Sequence, residues 1–388
     1  MKRVILSLLI SVIALGAFAQ KGKVSSALNY IDAGNYVKAK EAIDAAVVHE
    51  KSKDWPKTFY AQGRLAQALF ESGDAKLMAL YENPLVLANN SYKKSIELDD
   101  KNTMEKLVMI QLPALSNDFL TWAIQEFEAQ DFDKSLMAFE ELIKIQESDL
   151  FVGAVDTAVV FNAGLAAYNA KKYDTAIKYY DRTIETGYGE TQPFLLKFQA
   201  YSDMEDLENA EKTLTAAFEK YPTDKDIILQ LIQFYLVNEK DQAAFEYIAM
   251  AKERDSNNFS LFWAEGVLYM KQEKYPEAIT ALSRAIEINP EFFDTQYNLG
   301  VCYYNMASEM FDAANDIMDN AKYNAAIEEA KKVFEKAIPY MEKAHELRPD
   351  DMDTMTSLRE LYYRLQTKDE KYKAKFEEIE AKIKEIEG

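Results

Sequence analysis

The sequence predicts an all-α protein built from repeated pairs of helices, and three observations support this. The chain of 388 residues contains only 12 glycines and nine prolines, well below the averages of about 7% and 5%. Because these residues end helices and form turns, their scarcity favours long helices joined by short loops. Hydrophobic residues make up 48% of the chain, enough for a packed core. Small residues also recur at a constant interval of 34 positions.

The N-terminus has the pattern of a secretory signal peptide. Lys2 and Arg3 precede an apolar run at 4–15, and the small-x-small sequence that ends at Ala19 is a cleavage site. The run has about 12 residues, whereas a membrane-spanning helix needs about 20. We therefore expect cleavage after Ala19 and export to the periplasm or the medium. Gln20 rather than a cysteine follows, so we expect no lipid anchor, and no later stretch is expected to insert stably into a membrane.

The 34-residue interval appears in several independent series of residues. One series of alanines is Ala176, Ala210, Ala244 and Ala278, and one series of tyrosines is Tyr201, Tyr235, Tyr269 and Tyr303. A small side chain at a fixed place in each repeat lets two helices cross closely, while a larger one fills the space beside it. A fixed period of this length is the pattern of a solenoid made of helical pairs.

The repeats resemble the tetratricopeptide repeat (TPR) family. The clearest unit runs from Phe259 to Phe292, and its matching residues are Phe262, Gly266, Tyr269, Ala278, Leu282, Ala285 and Pro290. Glu265 departs from the family, which has leucine there. The resemblance implies a right-handed superhelical solenoid of about eight helix-turn-helix units, with a concave groove lined by the first helix of each unit.

Two units are longer than the repeat period. In the unit that begins at Pro56, the second-helix alanine Ala88 comes 13 residues late, which predicts an extra turn of helix at 75–84. In the unit that begins at Phe293, Ala337 comes 25 residues late, which predicts a lengthened helical hairpin. The predicted domains are a signal peptide (1–19), a TPR solenoid (20–292), a lengthened hairpin (293–351) and C-terminal capping helices (352–388).

The net charge and the absence of known site motifs exclude several classes of function. Lys and Arg number 45 and Asp and Glu 65, a net charge of −20, and an acidic surface repels nucleic-acid phosphates. The two histidines, His49 and His345, and the single Cys302 are far apart, and no nucleotide, metal or catalytic motif occurs. We therefore predict a protein that is not an enzyme, takes no cofactor and does not bind nucleic acid.

The resemblance to TPR proteins implies a scaffold or adaptor for other proteins in the bacterial cell envelope. The family's groove positions are aromatic, amide or basic residues here: Phe161, Asn162, Tyr168, Asn169, Gln199, Gln230, Gln233, Trp263, Lys271, Tyr297, Asn298, Tyr304 and Asn305. The acidic chain favours a neutral or basic protein or peptide partner. The alternative is a carbohydrate-capture protein whose groove aromatics stack on sugars. The lengthened hairpin is a second candidate surface, and the oligomeric state stays open.

Overall fold

The computed structural model of the protein describes residues 21–387. The predicted signal peptide, 1–19, lies outside these residues. Within them the regular structure is helical, with no strand, which confirms the all-α prediction. The chain divides into two compact units, Met1–Asp206 (unit 1) and Leu207–Gly388 (unit 2). We describe each unit by itself.

Unit 1 is a series of helical hairpins. Its helices are α1 (21–32), α2 (Tyr36–Val48), α3 (Pro56–Glu71), α4 (Ala75–Met78), α5 (Pro84–Glu97), α6 (Thr103–Glu128), α7 (Phe132–Gln146), α8 (Thr157–Asn169), α9 (Tyr173–Thr186) and α10 (Gln192–Asp203). Helix α3 pairs with α5, α6 with α7, and α8 with α9. Tyr92, Phe119, Phe139 and Tyr180 are fully buried in one core that runs through these pairs. The core therefore lies between the two layers of helices.

Unit 2 continues the same alternation. Its helices are α11 (Leu207–Lys220), α12 (Lys225–Val237), α13 (Asp241–Arg254), α14 (Phe259–Lys271), α15 (Tyr275–Ile288), α16 (Phe293–Ala314), α17 (Asn320–Leu347), α18 (Met352–Leu365) and α19 (Glu370–Glu387). The first helices α12, α14 and α16 contact one another in sequence. The last pair, α18 and α19, packs on α17 through an apolar core around Phe334 and Leu361.

The repeat register is confirmed by its small residues. The alanines of the series Ala176, Ala210, Ala244 and Ala278 are completely buried. Glycine occupies the tightest crossings, because a Cβ at Gly266 would lie 2.5 Å from Leu282 Cγ. A Cβ at Gly164 would likewise come within 2.7 Å of the Tyr180 ring. The second helix of each of these pairs therefore approaches the backbone of the first.

The turn inside each repeat also recurs at 34 residues. Lys171, Glu205, Glu239 and Glu273 have φ values of 59°, 58°, 57° and 58°. This left-handed conformation suits glycine and strains residues that have a Cβ. Lys171, Glu239 and Glu273 lie between the two helices of the pairs α8–α9, α12–α13 and α14–α15. The same local geometry thus reverses the chain in each of these three pairs.

The two lengthened units are helical, as predicted. The insertion after α3 contains the short helix α4, whose N-terminus is capped by the Asp74 carboxylate 2.8 Å from Lys76 N. The second insertion extends α16 to 22 residues and α17 to 28. These two helices pack along each other as one long hairpin.

Helix α6 corrects the expectation that no stretch after the signal peptide resembles a membrane span. In the part of the chain that the structure covers, it alone is long and apolar enough to cross a membrane, judged by length and composition. One side of α6, which includes Leu112 and Phe119, is buried in the core of unit 1. Its other side is almost without charge, since Asp118 is the single charged residue in 107–125. The buried apolar side of α6 and its nearly uncharged other side therefore both raise the mean hydropathy of this helix.

Candidate functional site

Helices α6, α8 and α10 present a surface of low charge in unit 1. We call it the first-helix surface and define it by solvent-facing or half-buried residues: Asn117, Thr121, Ile124, Asn162, Asn169 and Gln199. Charged residues make up 28% of the whole chain, yet α8 contains none. A surface of an acidic protein that lacks charge is unusual and marks a candidate contact surface.

Hydrogen bonds join α8 to α10 at this surface. The Tyr168 hydroxyl donates to Asp203 Oδ2 at 2.6 Å, and Gln199 Nε2 donates to Asp203 Oδ1 at 3.0 Å. Burial and the hydrogen bond to Asp203 raise the pKa of Tyr168 to about 12, so the hydroxyl keeps its proton. Both oxygens of the one carboxylate at this edge are therefore engaged by neutral donors.

The C-terminal ends of α6 and α8 border the same depression. It has a volume of about 470 Å³ and is lined by 129–133 and 169–171. Asn169 reaches it with an amide whose Nδ2 donates to Leu165 O at 2.8 Å. The side chain of Asn169 is exposed, so its amide oxygen can accept a hydrogen bond from a ligand. The first-helix surface thus continues from α6 across α8 to α10.

The structure brings two of the predicted groove residues of unit 1 together and places the others along α8. Tyr168 and Gln199 meet at Asp203, whereas Asn169 lines the depression beside 129–133. Phe161 and Asn162 are half-buried on α8. The Phe161 ring centre lies 5.8 Å from that of Tyr188, so this aromatic already packs against its own unit.

In unit 2 most of the predicted polar groove residues are more exposed to solvent than the predicted aromatic ones. Gln230 and Gln233 are exposed on α12. The Lys271 ammonium donates to Asp241 Oδ1 at 2.7 Å, which ties α14 to α13. Asn298 is half-buried on α16, and the Asn305 side chain hydrogen-bonds with Tyr275.

The predicted aromatic residues of unit 2 contribute to packing. Trp263 meets the Phe292 ring edge-on at 5.9 Å, and Tyr297 is stacked on Phe293 at the same distance. Tyr304 packs against Phe334 at 5.4 Å. These three rings are half-buried, so each presents only part of its area to a ligand.

The sequence reasoning missed the contribution of α6 to the first-helix surface. The groove residues expected from the sequence begin at Phe161 of α8, so Asn117, Thr121 and Ile124 of α6 are not among them. The side chain of Ile124 is 44% exposed, and that of Ile110, further along the same face, is 70% exposed. The signal available in the sequence was the stretch 107–125 with one charge.

A buried polar network behind α6 was also missed. The Tyr92 hydroxyl donates to Gln67 Oε1 at 2.9 Å, and Gln67 Nε2 donates to Asp118 Oδ2 at 2.8 Å. These residues come from α5, α3 and α6. Burial raises the pKa of Asp118 to about 6, the Gln67 hydrogen bond opposes this effect, and nearby Glu71 adds to it. The network satisfies the amide of Gln67, which is 2% exposed.

The raised pKa makes the stability of unit 1 depend on pH. The folded protein holds the Asp118 proton more tightly than the unfolded chain, so ionisation of Asp118 lowers the free energy of unfolding as pH rises from about 4 to about 6. Asp118→Asn keeps the acceptor oxygen and removes the charge. We expect it to raise the melting temperature at about pH 7.5 and to lose this advantage by about pH 4. Melting curves of the two proteins that stay parallel across this range would contradict the assignment.

The other reactive groups do not form a site. Burial raises the pKa of the Cys302 thiol to about 12, which keeps it protonated. Burial, with Lys382 nearby, lowers the pKa of His345. Among the residues that the structure describes, no three His, Cys, Asp or Glu side chains are placed to hold a metal ion.

Comparison with protein families supports the repeat assignment. One model, described as a tetratricopeptide repeat, matches 120–189, which covers α7, α8 and α9 and the last third of α6. A second, described as a TPR repeat, matches 266–306. These two segments contain tetratricopeptide repeats. The TPR assignment agrees with the buried alanine series and with the recurring left-handed turn, and TPR repeats indicate a protein-interaction scaffold.

Several solved TPR proteins are similar to this chain at low identity. A TPR repeats protein from Bacteroides fragilis is 21% identical over 63% of this chain and 97% of its own, with a TM-score of 0.35. YrrB, described as a TPR protein with an unusual peptide-binding site, is 18% identical over 57% and 98%, with a TM-score of 0.36. MamA is 19% identical over 50% and 95%, with a TM-score of 0.34. No curated protein matches the chain.

Proposed function

We propose that the protein is a non-enzymatic scaffold of the bacterial cell envelope that binds an uncharged or weakly basic peptide segment on the first-helix surface of unit 1. The observation that carries this proposal is that 107–125 of α6 has one charged residue and α8 has none, in a chain whose net charge is −20. A neutral surface neither repels nor orients a partner by charge, so shape and hydrogen bonds select the partner.

The residues of the surface suit an extended peptide. Asn117, Asn162 and Gln199 carry amides, which both donate and accept hydrogen bonds, as a peptide backbone does. The exposed methyl groups of Thr121 and Ile124 offer apolar contact to the side chains of such a peptide. Because these side chains are held on packed helices, the receptor loses little conformational freedom when a partner binds.

A sugar ligand is less well supported by the geometry. Stacking on a sugar ring needs an open aromatic face, but Trp263, Tyr297 and Tyr304 each pack on another aromatic ring of unit 2. The exposed glutamines Gln230 and Gln233 instead form a second amide surface in unit 2. We assign it the same kind of ligand as the first-helix surface.

Site-specific photocrosslinking in the producing cell tests the binding surface. A photoreactive amino acid at Thr121 or Asn162 is expected to give discrete adducts, whereas the same residue at Lys178, which is exposed on α9, should not. A synthetic peptide that covers the crosslinked segment should then bind the purified protein, and Asn162→Glu should weaken this binding at least tenfold. Equal adducts at Lys178, or a peptide insensitive to Asn162→Glu, would refute the surface.

The cell-envelope setting is supported by the signal-peptide pattern of 1–19. The expected result is a protein in the periplasmic or extracellular fraction whose mass and N-terminal sequence begin at Gln20. A full-length chain retained in the cytoplasm would count against the setting but leave the binding surface untouched.

A further inference from the structure

The insertion in unit 1 forms one wall of a cavity that the repeats alone would not produce. The cavity has a volume of about 260 Å³ and lies between α3, α5, α6 and α7. Its apolar lining is Phe70, Met78, Pro84, Leu85 and Trp122. Met78 belongs to α4 and is half-buried, so the inserted segment covers the opening rather than filling the space.

A carboxylate is held at the rim of this cavity. The Trp122 indole N–H donates to Glu126 Oε1 at 2.9 Å, one helical turn along α6. Glu126 has no ion pair within 4 Å among residues 21–387. The indole therefore orients a carboxylate that keeps its second oxygen for another donor.

The lysine that lines this cavity is paired with a different carboxylate. Lys134 also lines the cavity, but its ammonium lies 2.7 Å from Asp131 Oδ2. Glu126, Asp131 and Lys134 together leave one negative charge at the rim. An aromatic wall, an apolar lining and a rim of net negative charge are the features that bind an organic cation with an alkyl stem.

We propose that this cavity is a binding site for an alkylammonium group. The alkyl stem would lie against Met78 and Leu85, and the ammonium would meet Glu126 and the Trp122 indole. Trp122 and Glu126 face α5 and α7, whereas the first-helix surface is on the solvent side of α6. The proposal therefore does not depend on peptide binding at that surface.

Nuclear magnetic resonance of the tryptophan side chains tests the site in the full chain. The protein has three tryptophans, so a sample labelled with ¹⁵N-tryptophan gives three indole signals, and Trp122→Phe identifies one of them. Titration with n-butylammonium chloride at constant ionic strength should shift the Trp122 signal saturably, with a dissociation constant in the millimolar range. The signals of Trp55 and Trp263 should shift much less.

Neutral and anionic probes, together with matched variants, decide whether charge is recognised. Butyrate should not shift the Trp122 signal, and n-butanol should bind at least tenfold more weakly than n-butylammonium. Glu126→Gln should weaken n-butylammonium binding about tenfold, whereas Glu128→Gln, on an exposed residue of the same helix, should leave it unchanged. Lys134→Ala should strengthen it. Equal binding of n-butanol, no effect of Glu126→Gln, or no saturable shift would overturn the proposal.

Two further probes distinguish the natural sources of such a group. One is the tripeptide acetyl-Gly-Lys-Gly-amide, which represents a lysine of a protein partner, and the other is spermidine, which represents a free polyamine. Tighter binding of the tripeptide assigns the site to a lysine side chain, and tighter binding of spermidine assigns it to a small amine. Failure of both to shift the Trp122 signal would overturn the alkylammonium assignment.

Discussion

Gly164→Val is expected to lower the melting temperature of unit 1 by about 5–10 °C, which corresponds to about 2–3 kcal/mol. A Cβ at Gly164 would lie 2.7 Å from Tyr180 Cε1 and 3.3 Å from Tyr179 Cβ. Tyr180 is fully buried, so its ring has no free space to enter, and the pair α8–α9 must separate. Thermal unfolding followed by circular dichroism at 222 nm measures the effect.

The matched control is the same substitution at Gly22. This glycine is exposed in α1, and no atom lies within 4 Å of the position its Cβ would take. Valine forms helices better than glycine, so Gly22→Val should leave the melting temperature unchanged or slightly higher. A similar loss for both variants would show that the close crossing at Gly164 is not the cause.

Arg364→Ala is expected to destabilise the C-terminal part of unit 2 by about 2 kcal/mol. The Arg364 guanidinium carbon lies 5.7 Å, 5.9 Å and 5.3 Å from the ring centres of Tyr304, Phe311 and Phe334. Its Nε also lies 2.8 Å from Glu360 Oε1. The substitution removes the cation from among three rings and leaves a gap between α16, α17 and α18.

Arg359 provides the control for Arg364, because it is the same residue type on the same helix, α18. Among residues 21–387, Arg359 has no ion pair and no cation–π contact, so Arg359→Ala should change the free energy of unfolding by less than about 0.5 kcal/mol. Urea unfolding measured by circular dichroism compares the two variants. Equal stability of the two proteins would mean that the three rings do not depend on the cation.

Much of the fold could be predicted from the sequence because the repeat is a local rule. A small residue at each crossing, as at Ala244 and Ala278, fixes which faces of neighbouring helices meet. The full length of α6 was not predicted, since 103–115 has no counterpart in the repeat. The division of the chain after Asp206 was also not predicted. The tyrosine series continues from Tyr201 to Tyr235, so the pattern gives no sign of a boundary between them.

The candidate site was less predictable because it depends on contacts between distant residues. Family positions placed Tyr304 in a groove, but the lengthened hairpin brings Phe334 against its ring and α18 adds Arg364. The cavity beside Trp122 needs the inserted α4 as a wall, and no repeat pattern describes an insertion. Hydrogen bonds such as Gln67 to Asp118 join residues 51 positions apart.

The left-handed turns at Lys171, Glu205, Glu239 and Glu273 are positions where substitution can raise the thermal stability of this protein. Each of these residues holds a conformation that costs a side-chain-bearing residue about 1 kcal/mol relative to glycine. Natural chains accumulate such small penalties because selection removes only those that impair function. Glycine at all four turn positions would remove these penalties together. A variant of this kind would be a more stable scaffold on which to engineer new binding surfaces.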